Sequence, residues 1–418
     1  MIRANRLEID QKSDLYKGLT HNLARALAEL AEIRVQRDQG RFDAVPRDTY
    51  LTEPVAATPA PGERPPDLFD LFITQKRNLT DGGKKDYATT FRYFLDYIGH
   101  ERSIQSIERT DVRNWRDQLM RFPQYANTKK EFKGLSFKGV LALNDKLNQP
   151  TLDEKTINKY ISTVGSFMKW AIKRGVIDND PTHSLMLEVD DEDNKDPFTL
   201  AQLATIFSSP IWTGCAASKQ AQRHLPGTVQ AEDQYRWAPL IALFSGARME
   251  EILRLTTDDL LMVDSIACMN ITTTGGRSLK TRNAKRLVPV HSQLEQLGFI
   301  RMVEKRRRAG GGPVFYGMKE NAQGRLSSEF SKDFSQYLDG IKVKTERLSF
   351  HSFRHNFITW AGHAGLSKAS IQIIVGHTAK SVTDSYTHDG VIDLGARGRQ
   401  AIVERVQYEG LDLSHLRG

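Results

Sequence analysis

The sequence predicts a mainly α-helical protein with a small β-sheet, divided into a helical domain and a mixed α/β domain. Three observations predict it. Apolar residues recur at helical spacing from residue 67 to 187, and an acidic, turn-rich stretch follows at 188–197. Beyond it a buried-looking helix, a glycine turn and a second helix precede two short extended runs.

The elements follow in chain order. Within residues 1–45, Leu15, Leu19, Leu23, Leu27 and Leu30 mark one face of an amphipathic helix that needs a partner surface. Residues 46–66 hold Pro54, Pro59, Pro61, Pro65 and Pro66 among Ala, Thr and Gly, which makes a linker. From 67 to 187, groups such as Phe91, Phe94, Leu95 and Ile98, then Ile157, Ile161, Val164 and Met168, give a bundle of about four or five helices. A basic stretch from Lys129 to Lys138 interrupts it with no clear period. Residues 188–197 form an interdomain linker, whose negative charge faces solvent.

The domain from 198 to 418 opens on Thr199-Leu200-Ala201-Gln202, a capping box. Residues 208–234 are polar and are expected as a loop. Trp237 to Phe244 is a buried apolar helix, Gly246 is a turn, and Arg248 opens a second helix with Glu251 placed to hold its guanidinium. An extended run from Ile266 to Thr273 and another from Arg286 to Val290 suggest a hairpin carrying Lys280. Ile402 to Tyr408 reads as a terminal helix, followed by Leu411 and Leu413.

Composition bounds the partners. With 59 Lys and Arg against 51 Asp and Glu, the chain carries +8, which favours a polyanion. Cys215 and Cys268 lie in unrelated contexts, which argues against a disulfide framework or a cysteine zinc site. The apolar run at Ala238 to Phe244 is far too short to span a bilayer, so a soluble, cytoplasmic protein with no membrane partner is expected.

The chemistry concentrates near the C-terminus. His351 and Arg354 stand at i and i+3, Gly376-His377 follows a helix, and Tyr386 lies beyond. Gathering an Arg, two His and a Tyr, with Arg248 supplied from a helix N-terminus, points to an anionic target, and a phosphodiester suits it. A zinc site at His351-x-x-x-His355 is the competing possibility, but no Glu follows the first His and no Cys assists.

The ordered set Arg248 (in Gly-Ala-Arg-x-x-Glu), Lys280, His351-x-x-Arg354, Gly-His377 and Tyr386-Thr-His closely resembles the catalytic set of the tyrosine recombinases, or phage integrase family. The resemblance covers roughly residues 66–418. It implies a helical core-DNA-binding domain at 67–187 and a catalytic domain at 198–418. It also implies strand cleavage and rejoining at double-stranded DNA recombination sites through a 3′-phosphotyrosyl link, by a homotetramer, with no metal or other cofactor.

The implied roles follow for each residue. Tyr386 is the nucleophile, Arg248 and Arg354 bracket the phosphate, His351 exchanges the tyrosine proton, His377 donates to a non-bridging oxygen, and Lys280 is the acid for the departing 5′ oxygen. Lys285 lies close enough to compete for that last role. Lys129, Lys130, Lys133 and Lys138 are either a solvated loop or contacts to DNA phosphates. Thr156, Asn158 and Lys159 resemble the polar start of the family's last core-binding helix and are expected on the DNA-facing side. Integration or excision of a mobile element is the expected role, and a non-cutting DNA-binding protein of the same fold is the alternative.

Overall fold

The computed structural model describes residues 14–41, 45–46, 63–76, 79–189, 195–217, 222–272, 285–376 and 394–417. The chain divides into two compact units, Met1–Val189 and Asp190–Gly418.

In the first unit, helix α1 spans Asp14–Asp38. Leu23, Leu27 and Leu30 are 47, 58 and 47 % exposed, so part of the expected leucine face stands open, while Ile33 is buried. Five helices follow: α2 (Pro65–Gln75), α3 (Asp81–Ile98), α4 (Arg109–Leu119), α5 (Phe137–Leu147) and α6 (Glu154–Lys173). Their ends obey local chemistry. Prolines begin α2, where a missing N–H costs nothing. The Thr80 hydroxyl accepts the Gly83 N–H at the start of α3, and the Asp153 carboxylate accepts the Thr156 N–H at 2.6 Å at the start of α6.

Aromatic rings fill the space between these helices. Phe69 stacks on Phe91 at 4.0 Å, Phe91 meets Phe167 edge-on at 4.9 Å, and Phe94 meets Trp115 at 5.0 Å. The basic stretch is pinned from below by the same means. Phe132 and Phe137 are buried, and Phe137 stacks on Phe122 at 4.9 Å. Two aromatic anchors without helical spacing are why no period was visible there.

The second unit begins at α7 (Leu200–Phe207), where Thr199 and Gln202 form the expected capping box. The stretch expected as a loop has internal order instead. It holds α8 (Pro210–Thr213), bridges from Cys215 to Pro226 and Val229, and a buried Arg223 whose guanidinium lies 3.6 Å from the Tyr235 ring centre. Isolated bridges carry no periodicity, so the sequence concealed them.

Helix α9 (Asp233–Ser245) is buried along most of its length and ends at Gly246, whose φ of 62° needs a residue without Cβ strain. Helix α10 (Met249–Leu253) follows, then strands β1 (Leu260–Val263), β2 (Ile266–Ile271) and β3 (Arg286–Pro289). They form an antiparallel sheet in the order β1-β2-β3, with Leu260 opposite Met269 and Ile271 opposite Arg286. Helices α11 (Ser292–Gln296), α12 (Phe299–Arg308), α13 (Ser327–Gly340), α14 (His351–His363), α15 (Lys368–Val375) and α16 (Gly395–Val403) complete the unit.

The run Lys305 to Arg308 is the last turn of α12. Two of its cations are engaged within the fold: Arg306 pairs with Asp233 at 2.9 Å, and Arg307 donates to the Leu260 carbonyl at 2.9 Å. The tail packs on its own unit. Val406, Tyr408 and Leu413 are buried, and the Tyr408 hydroxyl donates to the Leu243 carbonyl of α9 at 2.8 Å. His291, fully buried, places Nε2 3.1 Å from the Val406 carbonyl, while its Nδ1 accepts the Gln293 N–H at 3.0 Å. Burial lowers the His291 pKa, against the opposing pull of Glu404 and of the Val406 carbonyl. No helix among the described residues is long and apolar enough to cross a membrane.

Candidate active site

The C-terminal end of α15 organises the site. A helix leaves its last carbonyls without intrahelical donors, and they carry the negative end of its dipole. Three consecutive carbonyls here each accept from a different guanidinium. Arg286 Nε donates to Ile374 at 2.6 Å, Arg354 Nη2 to Val375 at 2.8 Å, and Arg248 Nη2 to Gly376 at 3.2 Å. Arg354 Nη1 also donates to the carbonyl of Gly246.

Each arginine arrives from its own element. Arg248 caps α10, Arg286 opens β3, and Arg354 lies in the first turn of α14. Gly246 and Gly376 let the chain turn at either side, with φ of 62° and 68°. A Cβ on Gly246 would meet Phe357 at 2.7 Å and Val375 at 2.8 Å, so α9, α14 and α15 come together only because that residue has none.

One carboxylate serves this cluster. Glu251 Oε1 accepts from Arg248 Nη1 at 3.0 Å and Arg286 Nη1 at 3.3 Å. Its Oε2 accepts the Arg248 backbone N–H at 2.9 Å and Arg286 Nη2 at 2.8 Å. Burial acts to raise the Glu251 pKa, but the charge and hydrogen bond of Arg286, with Arg248, hold it below the usual carboxylate range.

Among the described residues, three guanidiniums and one carboxylate leave an excess of positive charge in a buried place. Arg354 bears it most. At 1 % exposure its pKa is pushed down to about 9, by burial first and then by the charges of Arg248 and Arg286. A guanidinium does not release its proton at neutral pH. An anion placed beside it would relieve the unfavourable energy. Helix α10 has only five residues, so the guanidinium cluster, rather than the helix dipole expected from the sequence, supplies the positive field.

His351 sits exposed at the first position of α14, one turn before buried Arg354. Its ring meets that of His355 edge-on, with centroids 5.0 Å apart. The His355 pKa is lowered by burial and then by the Arg354 charge. Lys280, His377 and Tyr386 lie outside the described residues, whereas Gly376, the residue just before His377, is placed at the cluster. In the sequence Arg286 reads only as the start of an extended run. Its signal was parity: Arg286, Val288 and Val290 alternate along the strand, and all three are buried.

In the first unit, Lys130, Lys133 and Lys138 are exposed and Lys129 donates to the Gln149 side chain at 2.9 Å. Lys159 pairs with Asp86 at 2.9 Å across an exposed surface. Thr156 is half-buried in the first turn of α6. The Asn158 amide is committed within the fold, its Nδ2 donating to the Leu187 carbonyl at 2.9 Å and its Oδ1 accepting the Leu187 N–H at 2.8 Å.

Comparison with known proteins supplies the wider frame. Residues 224–391 match the phage integrase family, and residues 67–186 match the phage integrase SAM-like domain. A tyrosine recombinase XerC of Roseiflexus castenholzii is 22 % identical over 302 residues, covering 71 % of this chain and 87 % of that protein. A tyrosine recombinase XerD of Oceanobacillus iheyensis is 24 % identical over 336 residues, covering 77 % and 92 %. Among solved structures, the Tn1549 transposon integrase in complex with transposon right end DNA aligns with a TM-score of 0.50 at 20 % identity, covering 81 % of this chain and 98 % of that one.

Proposed function

Since the chain belongs to the tyrosine recombinase, or phage integrase, family, we propose that it is a site-specific DNA recombinase that cuts and rejoins strands through a 3′-phosphotyrosyl intermediate. The observation that carries this reading is the row of three carbonyls at the end of α15, which gathers Arg248, Arg286 and Arg354, the first two of them paired with the Glu251 carboxylate. Such a cluster favours a target that brings negative charge and gains more of it during reaction, as a phosphodiester does on the way to a pentacoordinate phosphorus.

In this reading the Tyr386 oxygen attacks phosphorus, the bond to the 5′ oxygen breaks, and a phosphotyrosyl ester forms in its place. His351 takes the phenolic proton, and Lys280 returns one to the departing 5′ oxygen, so charge and protons balance. Arg248 and Arg354 hold the non-bridging oxygens, and His377 donates to one of them. A 5′ hydroxyl of a partner duplex then reverses the step, and the bond energy is retained throughout. No metal takes part. The exposed lysines Lys130, Lys133 and Lys138 contact DNA phosphates, a homotetramer joins two DNA sites, and the role is integration or excision of a mobile element.

The test is a nicked suicide substrate carrying candidate attachment sites, incubated with excess EDTA. A covalent DNA–protein adduct that disappears in Tyr386→Phe supports the reading. Binding without adduct points instead to a non-cutting DNA-binding protein, and cleavage that EDTA abolishes points to a metal-dependent nuclease.

A further inference from the structure

Arg286 is almost fully enclosed, at 7 % exposure, although its neighbour Lys285 is exposed. Among the described residues its guanidinium reaches in two directions. The Nη1 and Nη2 pair grips both oxygens of Glu251, and Nε reaches the Ile374 carbonyl. Gly376 leaves the room it needs, since a Cβ there would lie 2.7 Å from Arg286 Nη1 and 3.0 Å from its central carbon. The conformation at Gly376, with φ of 68°, already disfavours a side chain, and the neighbouring guanidinium disfavours it again.

We propose that Arg286 is a positioning residue of this site: it fixes the Glu251 carboxylate that aims Arg248, and it anchors the α15 carbonyl row that receives Arg354 and Arg248. The proposal rests on the recombinase reading above, because it is the phosphate-facing arginines that are aimed. The physical logic has two parts. A buried carboxylate with Arg248 as its only cation would draw that guanidinium into a closed pair and away from a phosphate; sharing its charge with Arg286 relieves that pull. Lysine is a poor substitute, because a single ammonium cannot present donors along both the carboxylate and the carbonyl directions.

A titration follows from the same contacts. Burial acts to raise the Glu251 pKa, and the charge of Arg286 is the strongest opposing influence. Without Arg286, Glu251 takes up a proton at higher pH, and Arg248 loses its orientation as that happens. The sign is then fixed: activity of an Arg286 variant falls on the acid side and recovers as pH rises.

The experiment measures adduct formation on the suicide substrate against pH, with full-length wild type, Arg286→Met, Arg286→Lys and Arg286→Met combined with Glu251→Gln. Arg286→Met is expected to lose about 10²-fold in rate at neutral pH, as small misplacements at reacting centres do, with DNA affinity changed by less than about threefold. It gains an acid limb absent from wild type, and Glu251→Gln abolishes that limb. Arg286→Lys, which keeps the charge but loses hydrogen bonds to Glu251, shows a weaker limb with a smaller loss, and it carries the test if Arg286→Met does not fold.

A wild-type rate in Arg286→Lys, or a loss that is flat across pH, overturns the proposal. Absence of adduct in wild type defeats the recombinase reading instead. Arg286 is then judged by 13C titration of the Glu251 carboxyl, which must move upward in Arg286→Lys for the contact to matter and overturns the proposal if it does not.

Discussion

Replacing Glu251 by Gln removes the anion that the guanidinium cluster holds among the described residues, without changing the size of the side chain. The carboxylate receives four hydrogen bonds, two on each oxygen, from the Arg248 and Arg286 guanidiniums and the Arg248 backbone. An amide keeps one oxygen and turns an NH2 group toward two of those donors. Breaking a buried pair from one side costs ~3–5 kcal/mol. For a unit of the size of Asp190–Gly418, each kcal/mol moves the melting temperature by about 2–4 °C, so a fall of about 6–20 °C is expected.

The pH dependence sharpens this prediction. The folded-state pKa of Glu251 is depressed by Arg286 and Arg248 despite burial, so its stabilising contribution is present above the unfolded-state value near ~4.3 and is lost as pH falls through the folded value. The gap between wild type and Glu251→Gln should therefore be full at neutral pH and close progressively below that point. Calorimetry of both proteins from pH 7 down to about 3 measures it. A melting temperature within about 2 °C of wild type at pH 7, or a gap that does not narrow with acid, refutes the reasoning.

Other expectations follow from the same geometry. Arg354→Lys keeps a charge but cannot reach both the Gly246 and Val375 carbonyls, so adduct formation should fall by about 10²–10³-fold with the fold retained by circular dichroism. Gly246→Ala meets Phe357 and Val375 and adopts a left-handed φ, which together cost ~2–4 kcal/mol, read as a lower urea midpoint. His291 has a lowered pKa from burial, so wild type should lose stability as pH falls below about 6.5, where the unfolded imidazole binds a proton and the folded one does not. His291→Asn should abolish that particular slope in urea titrations.

Much of the architecture could be read from the chain because each signal was local. Thr199 and Gln202 declare a helix start within four residues, Gly246 declares a turn, and Glu251 declares its bond to Arg248 by i,i+3 spacing. The strand pairing of Ile266–Ile271 with Arg286–Pro289 showed as two β-rich runs around a polar segment. What escaped was decided across distance. Alternation along β3 marks Arg286 as inward-facing, but its contacts to Glu251 and Ile374 come from 35 and 88 positions away and leave no local trace. Asn158 likewise looked like a surface polar residue because its partner, Leu187, comes 29 positions later. Cys215, held in two backbone bridges, made an ordered stretch resemble an unstructured one.

The tail that lays Val406, Tyr408 and Leu413 into the second unit has a consequence for biosynthesis. Domains tend to fold as they emerge, earlier ones first. The first unit closes its aromatic core without this tail, whereas α9, the helix that leads into Gly246 and Arg248, receives the Tyr408 hydroxyl on its Leu243 carbonyl. A ribosome still translating the stretch past residue 400 therefore carries a folded first unit and an unfinished second one. The guanidinium cluster of the second unit is therefore assembled after the aromatic core of the first.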